Sequence, residues 1–468
     1  MKSEKIQNDL SRRKFIKKSL LGLGGAGLGF FTIQSLSCNS KSKLNLFGSK
    51  PNILLIVADD AGWHDVGYHE SEIKTPAIDN LVKTGAELNQ FYVCPTCSPT
   101  RASLLTGRPA SRFGILGPIA GKSKQVLPLE TLTLAQLLRD WGYATAITGK
   151  WHLGLRQENG PHKYGFEYTY GYLHGQIDPY THRYKFGDLT WHRNNVFIEE
   201  EGHATDLITN EAVQYIKNYR DKNKPFFLYV PYSVPHTPIQ EEEKWLSIYK
   251  DSIENESRRS FAASVTHMDY AISQLIQTLD DERLRENTLV IFFSDNGAQE
   301  NWINVSDQYD GRHGPNDRLG DNRPLRDWKG SLYEGGIRVP AVFNWPGKIK
   351  TGMVNEIISA IDILPTLASL AGKTMTPQAE IEGANIWKAV SDATPLVKRT
   401  LYWRTREQFA LRKGNWKLVY TGTLEKGNFE LFNLTKDPKE EQDVAKDNHE
   451  IVNAMLEELK IQTELDSI

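Results

Sequence analysis

The chain has 468 residues, 39% hydrophobic and 24% charged, an ordinary composition for a soluble globular protein with room for one large core and a smaller one. Its net charge of -2 lacks the basic surplus of a nucleic-acid-binding surface, so an anionic ligand would have to meet a local basic pocket. Three cysteines, one near the N-terminus and two close together, leave no disulfide framework.

In chain order, Ser11-Arg12-Arg13-Lys14-Phe15-Ile16-Lys17 resembles a twin-arginine export signal. The apolar stretch that follows, residues 20–33, is too short and too rich in glycine for a membrane span. Ser35-Leu36-Ser37-Cys38 reads as a lipobox with Cys38 as the acylated first residue, although Ser35 stands where a larger apolar residue is usual; cleavage nearby by a signal peptidase is the alternative. Residues 1–49 are therefore expected to be signal peptide and linker. They imply export machinery as a partner, a periplasmic or outer-membrane, cell-surface location, and membrane contact only through a lipid anchor.

From residue 50 onward, short apolar runs end in polar motifs. Residues 52–58 run into Asp59-Asp60, residues 143–148 into Gly149-Lys150-Trp151-His152, residues 226–230 into Pro235-His236, and residues 289–293 into Ser294-Asp295-Asn296-Gly297. Such runs read as buried parallel strands. Residues 339–343 form a further apolar run of this kind. Helical patterns occupy 132–141, 206–219, 261–279 and 356–370; the third carries Val265, Met268, Ile272, Leu275, Ile276 and Leu279 on one stripe. The alternation predicts an α/β sandwich around a central, mostly parallel sheet, with ligands bound beyond the carboxyl ends of the strands. A Pro- and Lys-sprinkled stretch near residue 394 separates a catalytic domain, 50–393, from a C-terminal subdomain, 394–468. The latter reads as short antiparallel strands at 400–403, 409–411, 416–420 and 430–433 closed by a helix at 451–459.

The most specific motif is Cys97-Ser98-Pro99-Thr100-Arg101-Ala102-Ser103-Leu104-Leu105-Thr106-Gly107-Arg108. Cys94-Pro95-Thr96-Cys97 alone would suggest a redox pair or half a zinc site, but no second pair completes such a site, and four residues weigh little beside twelve. Cys94 is then expected to be a free, buried thiol. The twelve residues resemble the signature of type I sulfatases, in which the cysteine is converted to formylglycine (3-oxoalanine). Gly149-Lys150-Trp151-His152-Leu153-Gly154, Pro235-His236-Thr237-Pro238, Ser294-Asp295-Asn296-Gly297 and Glu334-Gly335-Gly336-Ile337-Arg338-Val339-Pro340 resemble further blocks of that family, in its order. Gly171-Tyr172-Leu173-His174-Gly175 and Asp178-Pro179-Tyr180-Thr181-His182 are similar to arylsulfatase B-like carbohydrate sulfatases.

This resemblance implies the alkaline phosphatase-like sandwich, with a smaller α+β subdomain at the C-terminus. It also implies a maturation enzyme that generates formylglycine, and one divalent cation held by Asp59, Asp60, Cys97, Asp295 and Asn296. Asp59, Asp60, Asp295 and Asn296 offer oxygen ligands only, which suit calcium or magnesium rather than zinc, with calcium the expected ion. For either acidic pair alone a helix cap or turn would be the simpler reading. Arg101 and Lys150 would hold the converted Cys97, and Lys329, in Leu325-Arg326-Asp327-Trp328-Lys329-Gly330, would contact sulfate. His152 would be the base toward residue 97 and His236 the proton donor to the leaving group. One hydroxyl of the hydrated aldehyde would attack sulfur and displace the alcohol; the second, deprotonated, would then expel sulfate.

The expected substrate is a sulfated polysaccharide or its oligosaccharides, of ulvan, carrageenan or glycosaminoglycan type. Trp63, Trp151, Trp328 and the aromatic run 164–192 are candidate sugar contacts, and Arg312 and His313 candidate specificity residues. A phosphatase or phosphodiesterase of the same fold would use a Ser or Thr nucleophile and more His and Asp ligands for two zinc ions. An inactive glycan-binding surface lipoprotein would be expected to have lost catalytic positions. Neither pattern is present.

Overall fold

The computed structural model describes residues 50–303, 308–376, 379–423 and 426–467; the export signal and Cys38 lie outside these. The strands are β1 (Asn52–Asp59), β2 (Ala86–Leu88), β3 (Phe91–Tyr92), β4 (Ala144–Lys150), β5 (Tyr168–Tyr172), β6 (Trp191–Arg193), β7 (Val196–Phe197), β8 (Phe226–Pro235), β9 (Thr288–Ser294), β10 (Ala341–Asn344) and β11 (Gly352–Val354). Ten of them form one sheet in the order β11-β2-β10-β9-β1-β8-β4-β5-β6-β7. The pairs β1–β8, β1–β9, β4–β8, β4–β5 and β11–β2 are parallel, whereas β10, β6 and β7 join antiparallel.

The central strands β1, β8 and β9 are buried at nearly every position and largely apolar between their ends, because both faces of the sheet are covered. Ile53, Leu55 and Val57 of β1 enter one core, together with Leu104 and Leu105 of the helix Cys97–Thr106 and Ile363, Leu364 and Leu367 of the helix Ile363–Leu370. Leu54, Ile56 and Ala58 enter the opposite core against Ile208 and Ala212 of the helix Ala204–Gln214 and Met268, Ile272 and Leu275 of the helix Glu256–Asp281. This alternation follows from the two-residue period of a strand.

Two helical expectations need correction. Residues 356–370 are not one helix: β12 (Ile358–Ser359) pairs with β3, and a capping box between Ser359 and Asp362 starts a short turn that leads into Ile363–Leu370. The helix predicted at 206–219 is α-helical only to Gln214 and then widens into a π turn, Tyr215–Tyr219.

The C-terminal strands are β13 (Thr400–Arg404), β14 (Gln408–Lys413), β15 (Trp416–Thr423) and β16 (Lys426–Asn433), an antiparallel sheet in sequential order. Leu401, Trp403, Val419 and Phe432 pack one face on Tyr92, Leu332 and Ile337, while Leu411, Leu418 and Leu431 pack the other on Met455 and Leu459 of the helix His449–Glu464. Below the first face, buried Lys417 pairs with Glu334 at 3.0 Å and Glu440 at 2.8 Å, and Tyr92 donates to Glu334 at 2.7 Å. This polar cluster fixes the turn Glu334–Ile337 to the small sheet.

Candidate active site

The sheet order brings the sequence motifs to one place. Neighbouring strands β1 and β9 end in Asp59-Asp60 and Asp295-Asn296, while β8, on the other side of β1, ends beside His236, and β4 ends in Lys150. The helix Cys97–Thr106 begins at Cys97, with Thr96 as its N-cap residue, and closes on Gly107 in the left-handed region (φ 67°). Arg101, one helical turn after Cys97, shares its face.

Arg101 is fully buried and grips Asp295 Oδ2 through Nε at 3.1 Å and Nη2 at 2.6 Å, and it donates to the Lys150 carbonyl at 3.2 Å. Lys150 Nζ donates to Asp59 Oδ2 at 2.5 Å, and Lys329 Nζ to Asp60 at 2.6 Å. The Asn296 amide donates to Asp60 Oδ1 at 2.7 Å. The ligand-type atoms of Asp59, Cys97 and Asp295 lie within 4.8 Å of one another, as do those of Asp59, Asp60 and His236. Asp59 thus links the cysteine to the acidic centre.

The donor set fits a cation. Asp59 Oδ1 and Asn296 Oδ1 are buried and have no hydrogen-bond partner, a costly condition that a positive ion relieves. Burial and the nearby Asp295 push the Asp59 carboxyl up to about 7, as expected where anions crowd. Burial opposes the charge of Asp60, yet Lys329 and His236 hold its carboxyl below the usual range. Three carboxylates face three cations, Arg101, Lys150 and Lys329. A bound divalent ion would leave the pocket net positive, which suits an anionic ester.

The two histidines have distinct settings. His152, in a left-handed conformation (φ 59°), donates from Nε2 to the Ile119 carbonyl at 2.9 Å, so Nδ1 is the unprotonated nitrogen, and it is buried without a partner. Burial, with Lys150 and Arg101, pushes its pKa well below the ordinary value, so it is a neutral base. His236 donates from Nδ1 to the Thr237 carbonyl at 2.5 Å and places Nε2 3.7 Å from Asp60. Burial and Lys329 push it down to about 3. The His236 and Lys329 side chains are 10% and 13% exposed, whereas those of Asp59, Arg101 and Lys150 are at most 1% exposed. His236 and Lys329 therefore stand on the solvent side of the site.

The aromatic candidates separate. Trp151 is a core residue: it is buried against Tyr164 and Phe166, with its indole donating to the Asn159 carbonyl, so it cannot touch a sugar. Trp63 is buried between His69 and Arg338, and Tyr164, Tyr170 and Tyr172 are buried as well. Trp328 is half-buried. His313 donates from Nε2 to Asp178 at 2.7 Å, and half-exposed Arg312 lies 3.5 Å from the same carboxylate. Cys94 is half-buried as a residue, and burial pushes its thiol up to about 11.

Sequence reasoning missed Tyr229, whose hydroxyl lies 3.4 Å from Arg101, and Ser98, which donates to the His152 carbonyl at 2.9 Å and accepts from the Ile119 amide at 3.0 Å. Ser98 is inside the signature, but only the folded chain shows that it holds the loop carrying the partner of His152. A second cluster, His203, Glu241 and His267, also has ligand-type atoms within 4.8 Å. There His203 Nδ1 accepts from the Thr205 amide, so its Nε2 carries the proton toward the Gln240 carbonyl and has no lone pair for a metal.

Gly297 shows how tightly the site is braced. A Cβ there would lie 1.7 Å from the Gly335 carbonyl oxygen. Gly297→Ala is expected to displace the turn Glu334–Ile337 at a cost of about 1–3 kcal/mol. Thermal unfolding should show a lowered Tm together with a loss of activity; an unshifted Tm would contradict this tight fit.

The family model described as Sulfatase matches residues 51–373, more than half of the chain and all of the site. The chain belongs to the type I sulfatase family. It is a sulfuric ester hydrolase. The model described as N-sulphoglucosamine sulphohydrolase, C-terminal, matches residues 327–465 of this sulfatase. The sulfatase is 32% identical to arylsulfatase J of Mus musculus, over 88% of this chain and 75% of the mouse protein. It is 31% identical to N-acetylgalactosamine-6-sulfatase of Canis lupus familiaris, over 78% of this chain and 71% of the dog protein. Among solved structures, it resembles Ps i-CgsB in complex with k-i-k-neocarrahexaose with a TM-score of 0.80 and 30% identity, covering 90% of this chain and 94% of that one. The alkaline phosphatase-like sandwich follows from this family and from the mixed, mostly parallel sheet.

Proposed function

We propose that this sulfatase is exported, through the twin-arginine-like segment and with or without a lipid on Cys38, and hydrolyses sulfate esters of a sulfated polysaccharide or its oligosaccharides. The observation that carries the proposal is Cys97 at the start of its helix, joined to Asp59 and Asp295 and faced by three cations. The likeness to an N-acetylgalactosamine-6-sulfatase and to a structure in complex with k-i-k-neocarrahexaose supports a sugar substrate.

The Cys97 thiol is not activated as it stands: burial pushes it up despite Lys150 and Lys329, whereas reactive cysteines have lowered pKa values. Conversion by a maturation enzyme to formylglycine would supply, once hydrated, an oxygen nucleophile and a second hydroxyl. Asp59, Asp60, Asp295, Asn296 and residue 97 would hold one calcium-type ion, whose charge would polarise a sulfate oxygen and favour ionisation of residue 97. Arg101 orients Asp295 and the Lys150 carbonyl, keeping the acidic centre in register with residue 97. Lys329 and Lys150 stabilise negative charge that spreads over the sulfuryl oxygens. The free Nδ1 of His152 takes a proton from residue 97. His236 gains a proton beside the anionic ester and delivers it from Nε2 to the leaving oxygen as the S–O bond breaks.

Sulfate release from k-i-k-neocarrahexaose and from oligosaccharides of N-acetylgalactosamine 6-sulfate, followed by ion chromatography, tests this reading. Release from at least one is expected, along with its loss on chelation and a lower Tm for the chelated protein, both restored by calcium. Turnover of an aryl sulfate but of no sulfated saccharide would overturn the substrate class. Two zinc ions by elemental analysis would overturn the metal assignment.

A further inference from the structure

A solvent-facing recess of about 340 Å³ adjoins the candidate active site, within the size range of small-molecule sites, about 300–1,000 Å³. Its lining joins segments far apart in sequence: Thr96, the residue before Cys97; Gly330, the residue after Lys329; and Arg406, Glu407, Gln408 and Thr421 from the turn and strands of the small sheet. The Gly330 amide donates to the Pro95 carbonyl at 2.8 Å, so the loop carrying Lys329 is tied to the approach to Cys97. Thus one wall of the recess is active-site backbone and the other is the β14–β15 hairpin with the turn before it.

Three features suit a sugar ring bearing an anion. A Cβ on Gly330, or on Gly117 in the same wall, would meet nothing within 4 Å, so the backbone there is open to close approach by a ligand. Thr96, Thr421 and Gln408 supply neutral polar groups for hydroxyls. Arg406 is exposed, and among the described residues its guanidinium has no hydrogen-bond or ion-pair partner, whereas nearby Arg404 is held by Asp466 at 2.8 Å. Glu407 brings the opposing charge. The turn itself is set without either side chain: Thr405 Oγ1 accepts from the Gln408 and Glu407 amides, and the Gly422 amide donates to the Glu407 carbonyl.

We infer that this recess is a second glycan subsite, in which Arg406 pairs with a sulfate or carboxylate on the sugar next to the one losing its sulfate. The inference rests on the saccharide reading above. It makes the C-terminal sheet part of substrate selection: the enzyme prefers oligosaccharides with an anionic group on the neighbouring residue over singly charged ones.

The test is binding of k-i-k-neocarrahexaose to Cys97→Ala protein, measured by calorimetry, so that turnover is not needed. Adding Arg406→Ala is expected to weaken binding about fivefold or more, Arg406→Lys to restore part of it, and Glu407→Gln to tighten it, since a charge-assisted contact is lost, kept or unopposed. In the otherwise unaltered enzyme, Arg406→Ala is expected to raise KM for the hexasaccharide at least five times more than for 4-nitrophenyl sulfate. The same binding assay with a neutral hexasaccharide and with a uronate-containing one separates sulfate from carboxylate recognition. No binding by Cys97→Ala, or binding indifferent to Arg406, overturns the subsite. Failure of the saccharide reading is separate, because it is scored by sulfate release.

Discussion

Cys97→Ala is expected to reduce turnover of an aryl sulfate and of a sulfated saccharide alike by about a millionfold, the scale of losing a nucleophile. The fold should persist, because the buried side chain loses only its sulfur and the helix Cys97–Thr106 is anchored by Leu104 and Leu105 in the core. Circular dichroism and Tm check this. In active protein made alongside a maturation enzyme, the peptide containing residue 97 should have the mass of the aldehyde. Full activity with an intact thiol at residue 97 would remove formylglycine from the mechanism.

His236→Ala is expected to slow hydrolysis of a sugar sulfate about a hundredfold to ten-thousandfold, the usual range for general acid catalysis, and that of an activated aryl sulfate far less. A phenolate bearing a nitro group leaves without a proton, whereas a sugar alkoxide does not. The positions support this division: His236 is at the solvent side, near Lys329 and Asp60, while His152 is sealed against the Ile119 carbonyl. His152→Ala is therefore expected to slow both substrates by a similar factor. Steady-state kinetics on the two substrates decide it: equal losses on both for both variants would mean that the two histidines do not divide the proton transfers in this way.

The sequence by itself determined the class of the fold and which motifs stand at the ends of its central strands. Buried parallel strands read as near-continuous apolar runs, and their carboxyl ends are where polar residues cluster, so Asp59-Asp60, Lys150, His236 and Asp295-Asn296 were legible as one group from local pattern and motif order. The lesser strands were not legible, because pairs as short as Phe91–Tyr92 and Val196–Phe197 carry too few residues to show a period. Residue type also could not tell a sugar-binding tryptophan from a core one: only packing shows that Trp151 is enclosed by Tyr164 and Phe166.

Tertiary structure alone decided the pairings between distant segments. Arg101 with Asp295, His313 with Asp178, the seal on His152, and the placement of Arg406 in the same recess as Thr96 and Gly330 all depend on strand order and on how the small sheet docks. Periodicity and motifs report what lies within a few residues along the chain. Contacts across the sheet instead arise when the faces of separate elements are buried together, and no local pattern encodes which partner each will meet.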